Sequence, residues 1–97
     1  MEFIVKEREE FTIVEFSIEE VIAPEELSAL VPPAVNGEKG VILSGRGPIW
    51  LYCYLVHYYH PTRFVATYDP RLGGAVVVES HTKDYKVGQI IPLNLSS

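Results

Sequence analysis

One stretch leaves this chain few ways to fold. Gly40-Val41-Ile42-Leu43 is an unbroken apolar run, Ser44-Gly45-Arg46-Gly47-Pro48 interrupts it, and Ile49 to His60 is then apolar on nearly every side. A short continuous apolar run reads as a strand covered on both faces. The longer run is too long for a strand of that kind. Its length, with Gly47 near the N-cap and Pro48 at the first helical position, favours a helix, because proline fits where no amide hydrogen is needed. His60-Pro61 ends it, since the residue before a proline is pushed out of helical geometry. A buried strand feeding a helix implies a crossover to a parallel neighbour.

The flanks add strands. Phe3 and Val5, then Val14, Phe16 and Ile18, recur at every second position, which predicts a hairpin turning through Lys6 to Glu10. Ala23-Pro24-Glu25-Glu26 opens a short helix that Val31-Pro32-Pro33 ends, and Val35 to Lys39 is a loop. Arg63 to Tyr68 and Ala75 to Ser80 are strands about the turn Asp69 to Gly74, and Gln89 to Leu95 is a last strand that Pro92 places at an edge. The expected fold is a small α/β, Rossmann-like sheet with antiparallel additions in one domain, residues 1–97. A ferredoxin-like α+β sandwich is the alternative.

The chain has 97 residues and a net charge of −5, which argues against a coat for long nucleic acid. The charge is uneven. Nine glutamates lie within residues 1–26 beside Lys6 and Arg8, whereas residues 27–97 hold four acids and six bases. An anionic ligand therefore belongs to the second part. A single cysteine, Cys53, excludes an internal disulfide and suits a reducing, cytoplasmic setting. The longest apolar stretch falls short of the roughly 20 residues that cross a bilayer, so no membrane partner is expected.

Four polar groups interrupt the apolar pattern. Ser44, Gly45, Arg46 and Gly47 form a glycine loop between a strand and a helix, where free amides, a hydroxyl and a guanidinium suit a phosphate. An ordinary tight connection would use the same glycines. His57 and His60 share a helix face with Cys53 one turn earlier, a spacing that more often serves core or interface than metal. Asp69-Pro70-Arg71 and Glu79-Ser80-His81 close strands. If those strands pair about their turn, His81 falls opposite Thr62 and near His60, with Asp69 and Arg71 at the far end, roughly 20 Å away. One protomer then cannot join the two groups. Either they serve separate purposes or a second molecule supplies the missing half.

The string GVILSGRGPIWLYCYLVHYYHPTRFVATYDPRLGGAVVVESH, Gly40 to His81, closely resembles the Csx-three family of type III CRISPR systems, also called Crn-three. SGRGPIW, the H-x₂-H helix end, YDPRLG and the strand ending in SH are its specific parts. The resemblance implies a CARF-type fold, a homodimer stacking into tetramers or filaments, and a Mn²⁺-dependent phosphodiesterase. Its substrate would be cyclic tetra-adenylate, the second messenger of type III antiviral signalling. Carried to this chain, His60, Asp69 and Arg71 form the catalytic set, Asp69, His60 and His81 hold the metal, and Ser44 to Gly47 bind the ring. A sensor that binds the ring uncut, and a Mn²⁺-dependent 3′ exonuclease on short linear RNA, are the alternatives; DNA is not an expected ligand. The doubled Gly73-Gly74 departs from the family pattern.

Overall fold

The computed structural model describes residues 1–18 and 20–95. Their strands are β1 (Glu2–Glu7), β2 (Phe11–Ser17), β3 (Gly40–Gly45), β4 (Phe64–Asp69), β5 (Gly74–Ser80) and β6 (Ile90–Pro92), and α1 spans Ile49–Tyr58. All six strands join one sheet in sequential order. β2, β3 and β4 run parallel, and the pairs β1/β2, β4/β5 and β5/β6 are antiparallel. This is a mixed α/β sheet with antiparallel additions, as the periodicities predict. The ferredoxin-like alternative is corrected: it needs a split βαβ arrangement with two helices, whereas this sheet is ordered along the chain and the described residues form one α-helix.

Both sheet faces are buried along the parallel strands, which is why these read as unbroken apolar runs. On one face Val14, Phe16, Val41, Leu43 and Val65 pack against Leu51 and Leu55 of α1 and Tyr59 at its C-cap. On the other, Ile13, Ile42, Phe64, Ala66, Ala75 and Val77 pack with Ile91 under Tyr85, Leu93 and Leu95. The C-terminal segment is thus a second covering layer, held by the Leu95 amide, which donates to the Tyr68 hydroxyl at 3.2 Å.

Several boundaries differ from expectation. Pro48 is the N-cap of α1 rather than its first helical residue (φ −65°, ψ 154°). The short helix is a 3₁₀ segment, Pro24–Ala29, tied by the Glu26 carboxylate accepting from the Ala23 amide at 2.6 Å. β6 stops at Pro92, short of Leu95, because proline has no amide hydrogen for the ladder. The turn after β4 contains a 3₁₀ segment, Pro70–Leu72, closed by Gly73 in the left-handed region at φ 69°. Gly74 is buried where a Cβ would strike the Ile91 backbone, so the paired glycines answer two different constraints.

One irregularity decides which face Glu79 takes. β5 pairs Val65 with Glu79 but Ala66 with Val77, leaving Val78 as an extra residue, a β-bulge.

Candidate functional site

A bulge shifts the alternation of every residue beyond it. Ala75 and Val77 face the layer under the C-terminal segment, and unbroken alternation would send Glu79 and His81 there too. The extra Val78 puts Glu79 opposite Val65, a helix-face residue, and sets the His81 amide donating to the Arg63 carbonyl at 2.9 Å. His81 therefore lies opposite Arg63, one residue from the position simple pairing predicts. It shares a face with the end of α1.

His60 is delivered there by the chain leaving α1. Buried Thr62 donates its hydroxyl to the Tyr59 carbonyl at 2.7 Å and lies 3.2 Å from that of Phe64, fixing the bend from helix into β4. The rings of His60 and His81 stand edge to face with centroids 4.9 Å apart. His81 Nε2 lies 3.1 Å from the His60 carbonyl, which can only accept, so in this contact Nε2 is the donor. The Glu79 carboxylate sits between them, 3.4 Å from His60 Nδ1 and 3.6 Å from His81 Nε2. One donor atom from each of the three lies within 4.8 Å of the others. Two imidazoles and a carboxylate suit a divalent first-row ion, and donors about 2.1 Å from one ion stand at most about 4.2 Å apart, a small side-chain adjustment from this geometry. Cys53 and His57 are outside this group.

At the other end of β4, the Asp69 carboxylate caps the next turn by accepting from the Arg71 amide at 2.9 Å, with Arg71 Nε 3.7 Å away. The Arg71 side chain is 90% exposed. These residues line a cleft of about 360 Å³ with Tyr52, Thr67, Tyr68 and Pro70. Because Val65, Thr67 and Asp69 alternate with Phe64, Ala66 and Tyr68, Asp69 is on the helix face, as are Glu79 and His81. The six-residue β4 keeps the two groups roughly 20 Å apart within one protomer.

The Ser44–Gly47 loop leaves the end of β3, beside the end of β4, since Leu43 pairs with Thr67. Crevices beyond the carboxyl ends of parallel strands are where open α/β sheets take ligands. The loop and the Asp69–Arg71 cleft are neighbours there, whereas His60 and His81 are at the opposite pole. A Cβ at Gly45 would meet the Phe16 carbonyl and come within 2.7 Å of its ring, so only glycine fits this bend. The sequence reading gave two members of these groups no role in a site. Glu79 had a signal, its two-residue spacing from His81; Tyr52, lost in an evenly apolar helix, had none.

With this geometry in place the comparisons with known proteins are decisive about kinship. A family profile described as CRISPR-associated protein (Cas_csx3) matches residues 15–92. The chain belongs to the Csx-three family. The match extends well beyond the resembling string, from β2 to the end of β6. A curated protein of Aquifex aeolicus (strain VF5), described as uncharacterized, is 47% identical over 92 residues, which is 91% of this chain and 83% of that protein. Among the described residues no helix is long and apolar enough to cross a membrane.

Proposed function

We propose that this Csx-three protein is a cytoplasmic ring nuclease of CARF-type fold, a Mn²⁺-dependent phosphodiesterase that opens cyclic tetra-adenylate and so ends type III antiviral signalling. The observation that carries the reading is the division of polar groups. His60, Glu79 and His81 stand at one pole of β4 and Asp69 with Arg71 at the other, on the same sheet face. Neither group alone holds cation, proton carrier and phosphate grip, but two copies stacked pole to pole would bring them together. A ring of four phosphates has the symmetry to sit between twofold faces that each present the Ser44–Gly47 loop twice.

His60 and His81 would hold Mn²⁺, with Glu79 supplying the carboxylate within their own protomer and Asp69 reaching them from a neighbouring copy. When bound, the ion supplies charge that offsets the growing negative charge on the phosphoryl oxygens. Arg71, whose side chain is 90% exposed beside Asp69, grips a non-bridging phosphate oxygen. If His81 and the carboxylates hold the ion without it, His60 instead moves a proton at Nε2, its Nδ1 facing the Glu79 carboxylate. The attacking group is a ribose 2′-hydroxyl or a water; both need that proton removed.

Incubation of the protein with cyclic tetra-adenylate, with Mn²⁺ or with chelator, tests the activity: product in the Mn²⁺ sample alone supports it, and tight retention of intact ring in both supports a sensor. Mixing tests the shared site. Asp69→Ala and His60→Ala proteins should each be inactive and recover turnover when combined. If both still bind and assemble but mixing restores nothing, the composite site is wrong.

A further inference from the structure

We propose that Tyr52 is a positioning residue that ties the Ser44–Gly47 loop to the Asp69–Arg71 cleft and sets the exposed Arg46 and Gly47 for a phosphate. The inference rests on the ring-nuclease reading for its ligand, and on the geometry of α1 for its mechanism. Tyr52 lies in the first turn of α1, half-buried, with its ring edge-on to Phe16 at a centroid distance of 5.1 Å. Its hydroxyl donates to the Gly45 carbonyl at 2.5 Å. Among the described residues no other side chain hydrogen-bonds the loop. The same ring forms a wall of the cleft that holds Asp69 and Arg71. One side chain thus touches both halves of the pole at the carboxyl ends of β3 and β4.

The consequence follows from the planarity of the peptide group. Among the described residues no peptide bond is cis, and in a trans unit the carbonyl and the following amide point in opposite directions. With the Gly45 carbonyl drawn to Tyr52, the Arg46 amide is turned away from the helix. That N–H faces the Phe16 carbonyl, as the pairing of Phe16 with Gly45 requires, so the tether fixes the base from which the exposed Arg46 side chain and the Gly47 backbone are offered to a phosphate. Phe16 presses the loop from the other side, where it leaves no room for a Cβ at Gly45. Burial pushes the Tyr52 hydroxyl above its ordinary pKa, against the opposing pull of its bond to Gly45, so it remains a donor at neutral pH.

Tyr52→Phe keeps the ring and deletes the tether. Tyr59→Phe is the matched control, because that hydroxyl donates to the Pro33 carbonyl at 2.7 Å from the same helix but away from the loop. With Mn²⁺ and cyclic tetra-adenylate, Tyr52→Phe should raise KM about 3- to 10-fold, the worth of one hydrogen bond, with kcat at saturation within about 2-fold. Tyr59→Phe should lower the melting temperature without moving KM. Amide hydrogen exchange in the ligand-free proteins is the second readout: Arg46 and Gly47 should exchange faster in Tyr52→Phe and as in the parent in Tyr59→Phe. Equal KM in parent and Tyr52→Phe, or an equal rise in both variants, overturns the inference. Should the parent neither bind nor cut the ring, the ring-nuclease reading fails by itself. Exchange then decides the tether alone, and unchanged rates at Arg46 and Gly47 would end it.

Discussion

Glu79→Gln separates a structural carboxylate from a metal ligand. The substitution keeps shape and removes one charge from the group His60, Glu79, His81. In the folded chain the carboxylate faces two half-exposed imidazoles at 3.4 and 3.6 Å, with the three side chains 34% to 51% exposed. Ion pairs that open to water are each worth about 0.2–1 kcal/mol, so loss of both should cost the fold about 2 kcal/mol or less. For a domain of 97 residues that lowers the melting temperature by no more than about 8–16 °C. The effect on Mn²⁺ should be of another order. Loss of a mere outer partner of a metal ligand costs about 10–100-fold in affinity, and loss of the only carboxylate among three donors should cost at least that. Calorimetric titration of metal-free protein with Mn²⁺ measures the second quantity, and thermal unfolding in chelator the first. A Glu79→Gln protein that binds Mn²⁺ within about 2-fold of the parent would refute the assignment of Glu79 to a metal. A parent that takes up no Mn²⁺ would refute the three-residue group as a centre.

Two further outcomes follow from the packing. Gly45→Ala drives a Cβ into the Phe16 ring and carbonyl, an overpacking that should cost about 1–3 kcal/mol and lower the melting temperature by about 5–20 °C, read by differential scanning calorimetry. Alkaline pH should weaken the fold. Tyr52 and Tyr59 are raised above the ordinary value of 10.0 chiefly by burial. The folded chain therefore keeps protons that the unfolded chain releases above pH 10, and stability should be flat below that pH and fall as pH rises beyond it. Denaturant midpoints unchanged between pH 9 and 11 would contradict this.

The sequence discloses the sheet more fully than the site. Alternation in Phe3-Val5 and Val14-Phe16, the run Gly40–Leu43 and the turn around Pro70 map directly onto β1 to β5, because a two-residue period or an apolar run is a local property of a strand. The glycine loop is equally legible, since its special residues mark the bend itself. What hides is the face of Glu79. Ala75-Val76-Val77-Val78 is apolar throughout, so nothing in its pattern betrays which residue is the odd one out of the ladder. The side on which two metal-binding residue types emerge depends on that single residue, and pairing across the sheet decides it. The 3₁₀ form of Pro24–Ala29 hides for a related reason, as six residues are too few to establish a helical period.

The strand Phe64–Asp69 works as a ruler with graduations two residues apart. Inserting or deleting one residue would turn either Asp69 or the histidine pole to the far side of the sheet, whereas a change of two would keep both in place and alter their spacing by about 7 Å. A chain built this way can be re-gauged for a differently spaced partner only in such steps, or by another bulge placed against the first.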